Sequence, residues 1–144
     1  MTLIVSTVLA IAVPELARPL AAAHLNALAG QMAAEIRAVQ QRAISEESAA
    51  YFIKFYPYGE RYEVRRTGYP TYVVLNKVAL PNTADLVGTT FSEDRLAFSA
   101  RGTPVEGGTV TLGDKRSGRF RYVIVTPVTG RVRVSDRPPE SWEK

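Results

Sequence analysis

The residue types that most often carry chemistry are scarce in this chain. It has one histidine, His24, and no cysteine. His24 stands at helical spacing between Leu20 and Leu28, where it reads as a helix residue at a packing seam. A metal site needs three or four ligands, and no other ligand type lies beside it. A Ser-His-Asp arrangement built on it would lie far from the strand-forming part of the chain. The stretch "GTVTLGDKRS" at 108–117 approaches the phosphate loop G-x-x-x-x-G-K-[ST], but Asp114 stands where the lysine belongs. A carboxylate there repels phosphate, and no strand–loop–helix unit surrounds it, so the stretch reads as two strands joined by a turn. Glu46–Glu47 and Glu93–Asp94 are adjacent acids on loops or helix ends. Acids so placed are ordinarily solvated and do not form an acid/base pair. The expectation is no catalysis, no metal, no cofactor and no small-molecule substrate.

Arginine is the residue type that does recur in a pattern. Arg131, Arg133 and Arg137 lie on or just after the last apolar alternation, and Arg119 and Arg121 lie on the preceding one. Their alternation with valine directs several guanidinium groups to one sheet face. Such a face is either a solvated, blunted edge or a phosphate-backbone contact for nucleic acid, whose binding would depend strongly on salt. The aromatics Tyr51, Phe52, Phe55, Tyr56, Tyr58, Tyr62, Tyr69 and Tyr72 cluster at strand spacing. That spacing reads as core and cross-strand pairs before it reads as a base-stacking platform.

Two kinds of element must position these residues. From Leu16 to Ile44 the apolar positions Leu16, Leu20, Leu28, Met32, Ile36 and Val39 recur at mostly three- and four-residue spacing in alanine-rich sequence, which predicts an amphipathic helix. Its polar side carries Asn26, Gln31, Glu35, Arg37, Gln41 and Arg42, and "SEES" at 45–48 closes it. Pro14 and Pro19 each remove a backbone donor and are expected to kink or loosen it. After residue 50 the period shortens to two. "YFIKFYPYGERYEVRRTG" predicts a hairpin, with strands 51–56 and 60–66 about a turn at Pro57–Gly59. "TYVVLNKVAL" predicts a strand ended by Pro81 and Asn82; "RLAFSARGTP" and "GTVTLG" predict two short ones. In "GRFRYVIVTPVTGRVRVS", Phe120, Tyr122 and Ile124 face one way and Arg121, Val123 and Val125 the other, with a turn at Thr129–Gly130. The fold class expected is α+β: a long N-terminal helix packed on a small antiparallel sheet or sandwich of about seven strands. The expected division is a helix over 1–48, apolar over 1–20 and amphipathic over 20–48, a β-rich domain over 49–135, and a polar tail over 136–144.

At 144 residues this is one domain with an appended element. Net charge is +4, with three arginines against four glutamates in residues 1–50 and the excess of base in the remainder. That is mild for a polyanion binder. Residues 1–13 carry no charge and are mostly apolar. As a helix they cover about 20 Å, against the roughly 30 Å and ~20 residues that a bilayer core needs. "LAIA" offers a small-residue cleavage site, but no basic region precedes it, which argues against a secretory signal. The apolar N-terminal half therefore requires lipid or other helices as its partner.

A helix apolar in its first half, amphipathic in its second and followed by a small strand domain resembles the plan of type IV pilins and pseudopilins. "LAGQMAAEIRAVQQRAI" (28–44) is similar to the amphipathic helix of the minor pseudopilins of the GspH/FimT class. "VALPNTADLVGTTF", "RLAFSARGTPVEGGTVTL" and "YVIVTPVTGRVRV" look like that class's strand-domain pattern in the same order. The resemblance covers nearly the whole chain. It implies a subunit of a type II secretion, type IV pilus or competence filament, anchored as a single pass in the inner membrane with its strand domain outside. Its partners would be other pilin or pseudopilin subunits and, before assembly, membrane lipid. The helix that meets them would present Leu3, Ile4, Val8, Leu9, Ile11 and Val13 and end its apolar run at Pro14 and Pro19. Some similar members carry a basic Gly-Arg-x-Arg stretch that contacts DNA during natural transformation. "GRVR" at Gly130–Arg133 fits it, with Arg137 close by, so DNA-binding through Arg131, Arg133 and Arg137 is the alternative. Family members are made with a basic leader, cut after a glycine and methylated, and an acidic residue follows. All three features are absent ahead of Thr2. Aligned on Pro14, about eight family residues are missing, and restoring them would give ~21 apolar residues, enough to span. The expectation is that Met1 is an internal methionine of a longer reading frame, or that the chain was trimmed.

Overall fold

The computed structural model describes the backbone of residues 2–141 and the side chains of residue 20 and residues 22–141. One long helix, α1 (Thr2–Ser45), is followed by eight strands. These are β1 (Tyr51–Tyr56), β2 (Arg61–Thr67), β3 (Tyr72–Ala79), β4 (Ala84–Thr89), β5 (Arg95–Ala97), β6 (Gly108–Asp114), β7 (Phe120–Val125) and β8 (Val132–Ser135). They form two antiparallel four-stranded sheets, β3-β2-β1-β5 and β4-β6-β7-β8.

α1 continues through Pro14 and Pro19. The side chains there, with those of Leu3, Ile4, Val8, Leu9, Ile11, Val13 and Leu16, lie outside the described residues. The buried stripe of α1 is Leu25, Ala29, Met32, Ala33, Ile36, Val39 and Ala43. Its steps of four and three are those of one helix face. This differs from the expected stripe at its upper end. Leu20 is 67% exposed, Leu28 is half-buried, and His24 is exposed rather than at a seam. Ala29, Ala33 and Ala43 take buried places on the stripe instead, where a small side chain suits a close approach of helix and sheet. α1 closes on a left-handed residue, Glu47 (φ 48°). The Ser48 N–H donates to the Ala43 carbonyl at 3.0 Å and the Glu47 N–H to the Ile44 carbonyl at 3.2 Å, so the last turn is satisfied without a glycine.

The core sits where α1 meets both sheets. It joins the helix stripe to Tyr51, Ile53, Phe55, Tyr62, Val64 and Leu96 of the first sheet and Leu86, Val110, Leu112, Val123, Val125 and Val132 of the second. Phe91, in the β4–β5 connection, stacks on Phe55 at 6.0 Å between ring centroids and ties the two halves together. Each fully buried aliphatic or aromatic side chain contributes about 1.5–3 kcal/mol.

β4 is the strand absent from the sequence reading. Gly88, and a register shift between Leu86 and Gly88, interrupt its alternation, and a broken period of two gives no strand signal. "RLAFSARGTP" is strand only over Arg95–Ala97, with a bridge from Phe98 to Pro104. It does not pair with "GTVTLG": β5 joins β1, and β6 joins β4 and β7, so the Gly/Pro-rich connection carries the chain from one sheet to the other.

Candidate functional site

Three arrangements outside the core bear on function. The first is the seam where α1 meets the loops. Arg37 Nη2 donates to the Val132 carbonyl at 2.8 Å, and Gln40 Nε2 to the Gly102 carbonyl at 2.8 Å. Arg121 Nε donates to Asn26 Oδ1 at 2.5 Å. Gly130 has φ +68°, and a Cβ there would lie 2.6 Å from Gln40 Nε2 and 3.0 Å from the Gly102 carbonyl oxygen. The glycine of "GRVR" is thus required by the close approach of the β7–β8 turn to the helix.

The second is the arginine face. The register Ile124↔Arg133 and Val125↔Val132 puts Arg133 on the sheet side opposite Val123 and Val125, away from α1. The Thr126 N–H to Arg131 carbonyl bond of 2.9 Å extends the ladder and puts Arg131 on that same side. Arg131 and Arg137 are exposed, Arg133 is half-buried, and Arg131 and Arg133 stand two residues apart, about 7 Å along the strand. Arg121 does not join them. It shares the helix-facing side of β7 with Val123 and Val125, and its guanidinium is held by Asn26. The expected single arginine face is therefore Arg131 and Arg133 with Arg137 following, and Arg119 lies in the β6–β7 turn.

The third arrangement was not legible beforehand. The outer face of the first sheet carries Phe52, Lys54 and Tyr56 from β1, Arg61, Glu63 and Arg65 from β2, Lys77 from β3 and Arg95 from β5, as the strand register dictates. Glu63 is its centre, 4% exposed, beside Arg65, 7% exposed. Arg65 donates to Glu63 Oε2 from Nε at 2.8 Å and from Nη2 at 2.5 Å, and also to the Tyr56 hydroxyl. Arg61 Nε and Lys77 Nζ lie 3.6 and 3.7 Å from Glu63 Oε1. Burial pushes the Glu63 carboxyl up, but the Arg65 hydrogen bond and charge, with Lys77 and Arg61, outweigh it, and its pKa ends below the usual range. Burial disfavours the Arg65 charge in turn, yet its bond to Glu63 and the nearby phenols hold its pKa above the ordinary value. Arg65 lies 3.9 Å over the Tyr72 ring, Arg61 4.2 Å over Tyr56 and Arg95 4.1 Å over Phe52. The aromatics that sequence spacing assigned to the core therefore divide: Tyr51, Phe55 and Tyr62 are core, while Phe52, Tyr56 and Tyr72 are stacked under cations on the outside. The signal was the alternation R-Y-E-V-R in β2 facing F-I-K-F-Y in β1, which shows its meaning only once the pairing is known.

At the end of this sheet Glu60, in the β1–β2 turn, meets the second sheet. Burial raises its carboxyl pKa, and a hydrogen bond and like charge from Asp85 raise it further against the pull of Lys115. Lys115 Nζ is 3.4 Å from Glu60 Oε2, an atom that is buried without a hydrogen bond among the described residues. Asp114, in the near-miss phosphate loop, accepts from the Ser117 hydroxyl at 2.5 Å and from the Ser117 N–H at 3.1 Å. It is the staple of the β6–β7 turn, and these bonds hold its pKa low. Among the described residues no group of three or more acids or histidines is arranged to hold a metal ion.

The comparisons with known proteins point one way. The family model for the type II transport protein GspH matches residues 28–130. The solved structure of the minor pseudopilin EpsH from the type 2 secretion system of Vibrio cholerae is similar, with a TM-score of 0.65 at 13% identity over 77% of this chain and 95% of that one. The type IV minor pilin FimU of Pseudomonas aeruginosa gives a TM-score of 0.64 at 18% identity over 83% of this chain and 95% of that one. At such identities the likeness is one of fold. Among curated proteins none matches.

Proposed function

The chain belongs to the GspH family of type II transport proteins, a family of structural subunits, and from that membership we propose that it is a minor pilin-like subunit of a secretion or pilus-type filament. The observation that carries the reading is the asymmetry of α1. From Leu25 to Ala43 one face is buried in the domain, while Leu20 above it is exposed. The helix continues to Thr2 through mostly apolar sequence. That upper part, with Leu3, Ile4, Val8, Leu9, Ile11 and Val13, meets lipid before assembly and neighbouring subunit helices after it. Among the described residues no helix is long and apolar enough to cross a membrane, so a single-pass anchor in the inner membrane belongs to this proposal. The proposed working division is helix to residue 48, strand domain 49–135, and tail 136–144. The test is to replace Ile4 and Val8 together by lysine and follow membrane fractionation and co-purification with the other pilin-like subunits. Loss of both is expected, since a charge in the apolar helix opposes lipid and helix packing alike. Unchanged co-purification would refute it.

A second reading, DNA capture, is favoured by the outward placement of Arg131 and Arg133 on one side of β8 with Arg137 beyond. Full-length protein in neutral detergent would then retard DNA, with affinity falling steeply as salt rises. An Arg131→Ala/Arg133→Ala variant with undiminished affinity would end this reading.

A further inference from the structure

β3 is the least covered strand of the domain. Its side chains from Tyr72 to Lys77 are exposed on both faces, and the four from Tyr72 to Leu75 are apolar or aromatic. It pairs with β2 on one side and ends its sheet on the other. Proteins blunt such edges with charge, proline, bulges or short length; between Tyr72 and Asn76 this edge carries no charge and no proline, and its one irregularity is the register shift that leaves Leu75 between the partners of Val64 and Arg65.

The ladder fixes which backbone groups are open. The Leu80 N–H donates to the Glu60 carbonyl at 2.9 Å, and the Gly68 N–H to the Thr71 carbonyl at 3.3 Å. Counting in twos from both ends, with the register shift between Val64 and Arg65, turns the N–H and C=O of Tyr72, Val74, Lys77 and Ala79 toward the open edge. On the helix side, Leu75 and Asn76 both line a groove of about 270 Å³ whose other wall is Glu35, Ala38, Val39 and Arg42 of α1. On the outer side the edge borders Lys77, Arg61 and Arg65, with Lys54 and Arg95 farther along the face, and the one acid there, Glu63, is buried and already paired.

We propose that β3 is completed by an extended segment of another filament subunit, which adds as a further strand. Its inward side chains are apolar and fill the groove beside Leu75. Its outward side chains include Asp or Glu, complementary to the cations of the outer face. Main-chain bonds to Val74 and Lys77 supply affinity, and the groove and the cations supply selectivity. This rests on the filament-subunit reading above.

The test places p-benzoylphenylalanine at Tyr72 or, separately, at Leu20 of the full-length chain, in cells that carry its companion pilin-like subunits. Adducts are mapped by mass spectrometry. Light should join position 72 to an extended, acid-bearing segment of another pilin-like subunit. Adding Val74→Pro removes one open donor without touching the β2 ladder and should cut the adduct by about tenfold or more, the scale of one ladder bond left unmade. Adding Val74→Ala keeps the donor and should leave most of the adduct. Lys77→Glu should reduce it severalfold by opposing the acids. Circular dichroism confirms that each variant is folded; should Val74→Pro fail that check, Lys77→Glu decides alone. An adduct that survives Val74→Pro, or joins only a second copy of this chain, overturns the proposal. Adducts from position 20 to other subunits with none from position 72 overturn it while leaving the filament reading standing. Absence at both positions overturns both.

Discussion

Replacing Glu63 tests the outer-face cluster. Its partner Arg65 is nearly as buried as it is, and both Arg65 bonds to it are short. Removing one member of a buried pair strands the other charge, at a cost of about 3–5 kcal/mol. The remaining cations add little. Arg61 and Lys77 have side chains 37% and 60% exposed, so each contributes about 0–1 kcal/mol. Glu63→Leu should therefore destabilise the domain by about 3–5 kcal/mol. Glu63→Gln should cost less, because the amide oxygen still accepts a bond from Arg65. The double variant Glu63→Leu/Arg65→Met should recover most of the loss, since an apolar pair of similar volume is often neutral or better. The assay is urea unfolding of the full-length chain in a mild detergent, followed by circular dichroism. pH supplies a second readout. The folded-state pKa of Glu63 is depressed, so its contribution is fully present above the unfolded carboxylate value and is lost as pH falls through the folded one. Glu63→Gln should flatten that acid limb. Single variants within about 1 kcal/mol of wild type, or a double variant no more stable than the worse single one, would refute the reasoning.

Three further outcomes are expected. Gly130→Ala should cost about 2–3 kcal/mol, summing left-handed strain and the loss of the Gln40 bond to Gly102. Gly118→Ala, also at φ +68° but with nothing within 4 Å, should cost only the strain, and equal losses by thermal melting would show that helix contact does not matter at Gly130. Met32→Ala, at a fully buried position on the helix stripe, should lose about 2–5 kcal/mol in chemical unfolding; a loss below this range would place the core elsewhere. Glu60 titrates in the opposite sense to Glu63. Its pKa is raised, so its stabilising contribution is full below the unfolded carboxylate value and fades as pH climbs through the folded one. Unfolding profiles of wild type and Glu60→Gln should therefore diverge on that limb, and parallel profiles would contradict the burial of Glu60 beside Asp85 as the cause of the raised value.

Local pattern carried the large features. The change of period after residue 50 separated helix from strands, and the Tyr51–Thr67 hairpin and the Phe120–Ser135 pair lie where their alternation and turn residues put them. The family resemblance rested on short motifs whose reasons are now structural. The Gly130 of the "GRVR" motif meets Gln40, and "GTVTL" lies in β6, one of the two inner strands of the second sheet. β4 escaped because a bulge breaks its period, and the helix stripe shifted because alanine is ambiguous: it suits either face until a sheet lies close enough to need it.

The outer face of the first sheet shows where reading along the chain ends. Glu63 and Arg65 are two residues apart, so any extended strand would put them on one side. That this side is nearly dry, and that Tyr56, Tyr72 and Lys77 close around it, depends on which strands lie beside β2 and in what register. Those neighbours come from 7 to 14 positions away from Glu63 in the chain. Only tertiary pairing could also leave β3 at the edge, since "TYVVLNKVAL" has the composition of a covered central strand. Sequence alone determined the periods of helix and strand and the scarcity of catalytic side chains, because both are properties of local residue order. The sheet order, the dry Glu63–Arg65 pair and the open edge at β3 were decided by long-range burial, because exclusion of water depends on what packs on top of a residue.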